Sequence, residues 1–151
     1  MRHSVFSKSA STALMVSLML AILVIPLKAQ CGDDSRSAYD RTCEITVTGT
    51  VFSLMPPARG MILGPHLLLT TARGQVDVSL GKWGLVGKGA LSVVPGQQVD
   101  VTGVMKTVKG KDVLVARTIT VNGKVHTMRN EHGIPVSPQA RERVAERGES
   151  L

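Results

Sequence analysis

The sequence predicts an all-β protein, a small barrel of five to six strands that follows an N-terminal signal peptide. Three observations predict it. Apolar and polar residues alternate in several short segments between residues 44 and 129. Turn signals rich in glycine separate these segments. An uncharged, mostly apolar run occupies residues 10–25, ahead of the alternating part.

Residues 1–29 have the layout of a secretory signal. A positively charged stretch precedes the apolar run, Pro26 ends it, and Ala29 is a small residue ahead of the expected cleavage before Gln30. As a helix, the run of residues 10–25 spans about 24 Å, less than a hydrocarbon core of about 30 Å. We therefore expect a periplasmic or secreted bacterial protein with no stable membrane span after cleavage. The alternative is an uncleaved helix that anchors the chain.

Both cysteines, Cys31 and Cys43, belong to the mature chain. In an oxidising compartment two neighbouring cysteines most simply form a disulfide, which would stabilise the fold by about 3 kcal/mol. The bridge would tether residues 30–43 as a polar lead-in to the first strand. Two alternatives stay open. One is a metal site made by both thiolates, and the other is lipidation of Cys31, although Lys28 and Gln30 do not fit a lipobox.

The mature chain has a modest positive charge. Cleavage before Gln30 removes three basic residues and no acidic ones, so the net charge falls by three from +7 to +4. Such a surface suits an anionic partner, but it is also an ordinary means of staying soluble. Charge therefore does not select a function class.

The first predicted strand begins at Glu44 and stops before Pro56. Mostly β-branched apolar residues occupy one face, and threonines occupy the other, as in a half-buried strand. Residues 66–71 and 75–80 alternate in the same way around a glycine-containing turn at residues 72–74. This arrangement predicts a hairpin.

The alternation of apolar and polar residues stops in the middle of the chain. Residues 81–96 carry loosely spaced apolar residues among several glycines, which predicts a short helix or a loop. A second hairpin follows, with strands at residues 98–106 and 112–121 around the turn at residues 109–111.

Asn122-Gly123 is a strong hairpin turn and predicts a further strand over residues 124–129. Five strands with an irregular element between the third and the fourth follow the plan of an OB-fold barrel. A β-sandwich is the alternative. The predicted organisation is a signal peptide (1–29), a disulfide-tethered lead-in (30–43), the barrel (44–136) and a charged tail that is a short helix or disordered (137–151).

A set of short motifs covers nearly the whole mature domain. They are Tyr39-Asp40, Glu44, Val47-x-Gly49-Thr50-Val51, His66-Leu67-x-Leu69, Leu80-Gly81, Gly96-x-x-Val99-x-Val101-x-Gly103, Ala116-Arg117 and Met128-Arg129-x-x-x-Gly133-Ile134-Pro135. With them the chain resembles short exported bacterial proteins of the periplasmic OB-fold type, whose functions are largely unassigned. It departs from that group at Lys82, where a proline is usual, at Val136, where an aromatic residue is usual, and at Cys43. The resemblance implies a fold more than a function, because most matched residues are Gly, Val and Leu.

Basic residues near strand ends and one tryptophan are the candidate ligand-binding positions. They are Arg73, Trp83, Lys109, Lys111, Arg117 and Arg129. A basic rim across the hairpin ends, made by Arg73, Lys106, Lys109, Lys111 and Arg117, would suit single-stranded nucleic acid, but few aromatic residues remain to stack bases. Nucleic-acid binding is therefore an alternative function. Arg117 and Arg129 are the best candidates for contacting a small ligand or a partner.

A second alternative is a periplasmic copper-binding protein. His126 and Met128 lie on one face of a predicted strand and are ligand types that suit Cu(I). OB-fold proteins that bind copper through His, Met and Trp do exist. Their ligand spacing is not reproduced here.

No catalytic motif stands out in the sequence. The G-x-S-x-G elbow and the order of a phosphate-binding loop are both missing. We therefore expect a non-catalytic, exported binding or accessory module of the cell envelope that needs no cofactor. Its expected partner is an envelope protein or a small anionic ligand.

Overall fold

The computed structural model of the protein describes residues 39–57 and 63–147. The expected signal peptide, its cleavage site and Cys31 lie outside these residues. Export and the Cys31–Cys43 bridge therefore stay predictions.

Six strands and one α-helix form the described part of the chain. The strands are β1 (Glu44–Met55), β2 (His66–Thr71), β3 (Gly74–Ser79), β4 (Gln98–Val108), β5 (Lys111–Val121) and β6 (Lys124–Thr127). A short 3-10 helix, Arg41–Cys43, precedes β1, and the helix α1 (Pro138–Arg147) follows β6.

The first five strands close into a barrel. Their order is β3-β2-β1-β4-β5 with antiparallel neighbours, and β3 completes the ring by pairing in parallel with β5. β6 pairs with the second half of β5, beyond the stretch that contacts β3. A closed five-stranded sheet with one extra strand confirms the predicted all-β, OB-fold-like barrel.

Apolar side chains from the barrel strands form its core. Leu67, Leu69, Val78, Val101 and Leu114 are completely shielded from solvent and belong to one contiguous cluster. Burying a side chain of this size contributes about 1.5–3 kcal/mol. Because β2, β3, β4 and β5 each supply members of the cluster, the core fixes the strands relative to one another.

Arg117 is an extra residue in β5. The pairing of β5 with β4 skips it, which makes it a β-bulge. Before the bulge the inward residues are Leu114 and Ala116, and after it they are Ile119 and Val121. Because of the bulge, even-numbered residues point into the barrel before Arg117 and odd-numbered residues do so after it. The Arg117 side chain itself points away from the core.

Gly103 lies opposite this bulge. A Cβ atom at Gly103 would overlap the carbonyl oxygen of Val115, so β4 and β5 approach this closely only because residue 103 has no side chain. The glycine inside the predicted strand thus marks a close contact between two backbones.

β6 ends two residues earlier than the strand predicted over residues 124–129. The amides of Met128 and Arg129 both donate to the carbonyl oxygen of Arg117, at 2.7 and 3.2 Å, which ends the regular ladder. Arg129 then forms an isolated bridge with Pro135. The chain therefore folds back across the outside of the barrel at the bulge.

The segment between β3 and β4 is a loop of consecutive turns, one of the two possibilities that the sequence leaves open. α1 packs on this loop through Arg141, whose guanidinium donates to the carbonyl oxygens of Trp83 (2.8 Å), Val86 (2.9 Å) and Gly89 (3.0 Å). A polar side chain thus helps to fix the start of the charged tail to the barrel.

Candidate ligand-binding cleft

A cleft of about 560 Å³ lies on the outside of the barrel. Its walls come from β4, β5, the turns that flank β2 and β3, and the segment after β6. This volume lies within the range of small-molecule sites in proteins. The residues that line it are Tyr39, Leu63, Gly64, Gly81, Lys82, Lys106, Val108, Val115, Arg129, His132, Gly133 and Pro135.

The floor of the cleft is apolar. Leu114 and Ala116 point into the barrel core, so Val115 between them lies on the outer surface of β5. Val108 lies at the end of the neighbouring strand β4, and Pro135 covers the opposite side. The cleft therefore combines an apolar base with the charged residues above it.

Arg129 is the most buried charged residue of the cleft, with 2% of its surface exposed. Its Nη1 atom donates to the carbonyl oxygens of Ser79 (2.9 Å) and Ala116 (2.7 Å), and its Nη2 atom donates to Oγ of Ser79 (2.8 Å). These acceptors belong to β3 and β5, the two strands that close the barrel. The guanidinium is therefore held rigidly at the seam of the ring.

No carboxylate pairs with Arg129 among residues 39–57 and 63–147. Burial lowers the pKa of Arg129 to about 10, which still leaves the side chain protonated at neutral pH. A buried charge without a counter-ion is costly, so an anion that enters the cleft would relieve an existing electrostatic penalty.

Glu44 links the first strand to the bulge. Both of its carboxylate oxygens accept hydrogen bonds from the Arg117 side chain, and Oε1 also accepts the Tyr39 hydroxyl at 2.8 Å. The bond from Arg117 lowers the pKa of Glu44, and Glu44 raises that of Arg117. Burial and the bond to Glu44 raise the pKa of Tyr39 above its usual range. This cluster fixes Tyr39 at the cleft, where its ring packs on Gly133.

Two of the predicted ligand-binding residues lie at or near this cleft. Arg129 lines it directly, whereas Arg117 is engaged by Glu44 beside it. Trp83 lies on the neighbouring loop, with Nζ of Lys82 at 4.7 Å from the centre of its ring. Of the predicted ligand-binding residues, Arg129 therefore lines the cleft, while Arg117 and Trp83 are not among its lining residues. Their predicted binding role stays a prediction.

The basic turn residues lie elsewhere. Arg73 is in the turn between β2 and β3, Lys109 is in the turn between β4 and β5, and Lys111 is the first residue of β5. Because β3 and β5 run in parallel, with Asp77 opposite Val113, both turns lie at the same end of the barrel. All three side chains are exposed there, outside the cleft. Their predicted role stays a prediction.

His126 and Met128, the predicted copper ligands, have different surroundings. Met128 belongs to the hydrophobic core cluster. His126 is largely buried, hydrogen-bonds to the backbone of Gly89, and has its pKa lowered by burial. Among the described residues, no three His, Cys, Asp or Glu side chains group as metal ligands would.

Sequence reasoning missed Ser79 and Lys82 and gave Tyr39 no site role. Ser79 is a small polar residue in a strand, and nothing local distinguishes it from a surface serine. Lys82 was noticed only as a departure from the usual proline. A usable signal was that Tyr39 and Gly133 both belong to the motifs, since both residues line the cleft.

Among the described residues, no helix has both the length and the apolar character needed to cross a bilayer. A search of curated proteins finds none that matches the chain. The family model described as the MamS/MamX magnetosome protein family matches residues 44–126, from the first residue of β1 to the third residue of β6. The match covers more than half of the 151 residues, and the chain therefore belongs to the MamS/MamX magnetosome protein family.

Proposed function

We propose that this protein is a non-catalytic accessory module of the bacterial cell envelope that serves the magnetosome by binding a ligand in the cleft beside Arg129. The family supports an envelope or magnetosome-associated role. The signal-like residues 1–29 support export, and the strand order supports the exported OB-fold type of protein.

The observation that carries the proposal is the buried guanidinium of Arg129 in an open cleft. Three hydrogen bonds that it donates to Ser79 and Ala116 fix it, although its charge has no acidic partner among the described residues. A polar group that is held in place within a mostly apolar cleft is typical of a binding site. Such a group orients a ligand, and it does not have to change its own conformation when the ligand binds.

A binding role suits the chemistry of the cleft better than a catalytic one. Lys82, Lys106 and Arg129 carry positive charges that attract and orient an anion. No carboxylate among the described lining residues is available to accept a proton from a substrate. The Tyr39 hydroxyl, another polar group of the wall, already donates to Glu44.

A variant with a bulky side chain in the cleft tests the proposal in a magnetosome-forming bacterium that carries this gene. Val108 lines the cleft, and Val108→Trp would fill it from the side. Val125→Trp is the matched control, because Val125 is an exposed strand residue outside the cleft. We expect Val108→Trp to alter the number or size of magnetosome particles as deletion of the gene does, at unchanged protein level, and Val125→Trp to resemble the wild type.

Two results would contradict the proposal. If Val108→Trp leaves the particles unchanged while deletion alters them, the cleft does not perform the function. If fractionation of spheroplasts finds the protein in the cytosol with residues 1–29 intact, the envelope role is wrong.

A further inference from the structure

We propose that the cleft binds an organic anion with an apolar body, namely a carboxylate carried on a short hydrocarbon chain or a ring. Its charged group would contact Arg129 and Lys82, and its apolar part would lie on Val108 and Val115. This inference rests on the proposed function, since it names the class of ligand that the same cleft takes.

The charge of the cleft selects an anion. Lys82, Lys106 and Arg129 line it, and none of its described lining residues is acidic. Two acidic residues of the neighbouring strands β1 and β3 are engaged elsewhere. Glu44 pairs with Arg117, and Asp77 pairs with His66. A negatively charged ligand would therefore meet positive charges and no negative ones among the described lining residues.

Arg129 presents the geometry that a carboxylate needs. A guanidinium has five N–H groups, and the bonds to Ser79 and Ala116 use three of them. The other two have no acceptor among the described residues. Arginine pairs with planar anions through two parallel hydrogen bonds, which are stronger than bonds between neutral groups. The rigid hold on Arg129 reduces the entropy lost on binding.

The apolar floor argues against a bare inorganic anion. Leu63, Val108, Val115 and Pro135 line the cleft together with the charged residues. A strongly hydrated ion would lose part of its water against these side chains without a compensating contact. A hydrocarbon chain or ring would instead bury their surface and its own, at about 25 cal/mol per Å² of apolar area.

The size of the cleft agrees with this class of ligand. Its volume of about 560 Å³ is far greater than the roughly 30 Å³ that one water molecule occupies. The space therefore accommodates an anion with several carbon atoms attached.

Trp83 is a built-in reporter of binding. It is the single tryptophan of the chain, and Nζ of Lys82 lies 4.7 Å from the centre of its ring. Lys82 itself is exposed and lines the cleft. An anion that draws the ammonium group away from the indole would remove this cation–π contact and change the fluorescence of Trp83.

The experiment titrates the mature protein with octanoate and with benzoate, and follows heat by calorimetry and Trp83 fluorescence. Three reference compounds separate the contributions. Acetate has the charged group without the body, 1-octanol has the body without the charge, and octylammonium has the opposite charge. We expect octanoate or benzoate to bind at least tenfold more tightly than any of these three. Failure of both acids to bind, or equal binding of acetate, octanol or octylammonium, would overturn the inference.

Lys82→Gln tests the site without disturbing the core. We expect it to weaken binding of the acid about tenfold, equivalent to about 1.4 kcal/mol, and to abolish the fluorescence change. Lys88→Gln is the matched control, because Lys88 is an exposed lysine of the same loop that does not line the cleft. Equal affinities of the Lys82 and Lys88 variants would contradict the assigned site. Arg129→Lys is a second variant, which keeps the positive charge but loses the planar guanidinium. We expect the folded variant to bind the acid more weakly than the wild type does.

The two proposals fail in different ways. If no acid binds but Val108→Trp alters magnetosome particles, the cleft functions with another class of ligand, and only the present inference is wrong. If acids bind at Lys82 but Val108→Trp has no effect in cells, the binding chemistry is right and the proposed function is wrong.

Discussion

Arg129 and Ser79 form two hydrogen bonds although they lie fifty residues apart in the sequence. The guanidinium of Arg129 donates to the carbonyl oxygen of Ser79 at 2.9 Å and to its Oγ at 2.8 Å. Oγ of Ser79 in turn donates to the carbonyl oxygen of Leu63 at 2.9 Å. Ser79 therefore joins Leu63 to Arg129, and both of these residues line the cleft.

Ser79→Ala removes the hydroxyl at this junction. We expect the free energy of unfolding to fall by about 1–3 kcal/mol, because one N–H of a buried guanidinium and one buried carbonyl lose their partner. Urea denaturation at neutral pH measures the change. Ser92→Ala provides the control, since Ser92 is exposed in the loop. If the two variants lose equal amounts, the junction contributes nothing to stability.

Glu44→Gln tests the ion pair with Arg117. We expect a loss of about 2 kcal/mol at pH 7, less than for a fully buried pair, because both side chains keep some contact with solvent. Denaturation of the wild type and the variant across pH 3–7 measures it.

The pH dependence of this difference has a definite sign. Arg117 lowers the pKa of Glu44 below its ordinary value of 4.5 in the folded state. The contribution of Glu44 is therefore complete above about pH 4.5 and is lost as the pH falls through the lower, folded pKa. The stability curves of the wild type and of Glu44→Gln should converge on acidification. Curves that stay parallel down to pH 3 would show that the pair does not control this titration.

Arg141→Ala should release α1 from the loop between β3 and β4. The side chain donates to three backbone carbonyls of that loop, and alanine makes none of these bonds. We expect faster hydrogen exchange at the amides of Val86 and Ala90, which belong to the turns that Arg141 holds. Arg143→Ala is the control on the same helix, because Arg143 is exposed. Unchanged exchange in both variants would mean that the loop is stable without the helix.

His126 should titrate below the ordinary histidine value of 6.5, because burial disfavours its charged form. Proton NMR of the imidazole measures the midpoint directly. The neutral ring contributes to stability above about pH 6.5, and this contribution is lost as the pH falls toward the lower, folded pKa. His126→Phe should remove that part of the pH dependence. A midpoint at or above 6.5 would show that the ring is more hydrated than its surroundings in the fold suggest.

The alternation of residue types was enough to predict the barrel. It is a local property, since side chains of a strand point to opposite faces in turn. Turn residues such as Asn122-Gly123 are local too, and they placed the hairpins within a few residues of their observed ends. Arg129, which lines the cleft, was also singled out in this way, because a charged residue stands out at the end of an apolar strand.

Alternation could not assign the faces of β5. Residues 113–116 are apolar at every position, so the sequence fits equally well with residues 113 and 115 or residues 114 and 116 pointing into the core. The bulge at Arg117 then changes which alternate residues of β5 point into the barrel. This bulge arises from the pairing of β5 with β4 and not from any residue type in β5. The outer surface at Val115, and with it the floor of the cleft, depends on that register.

The sequence by itself determined the strands and the turns between them. The roles of the three arginines were decided by the tertiary structure. Arg117 contacts Glu44 from 73 residues away, Arg129 contacts Ser79 from 50, and Arg141 contacts Trp83 from 58. One forms an ion pair, one is a buried charge at a cleft, and one holds a helix. The physical reason is that a guanidinium takes its role from the acceptors around it, and these are brought together only when the barrel closes.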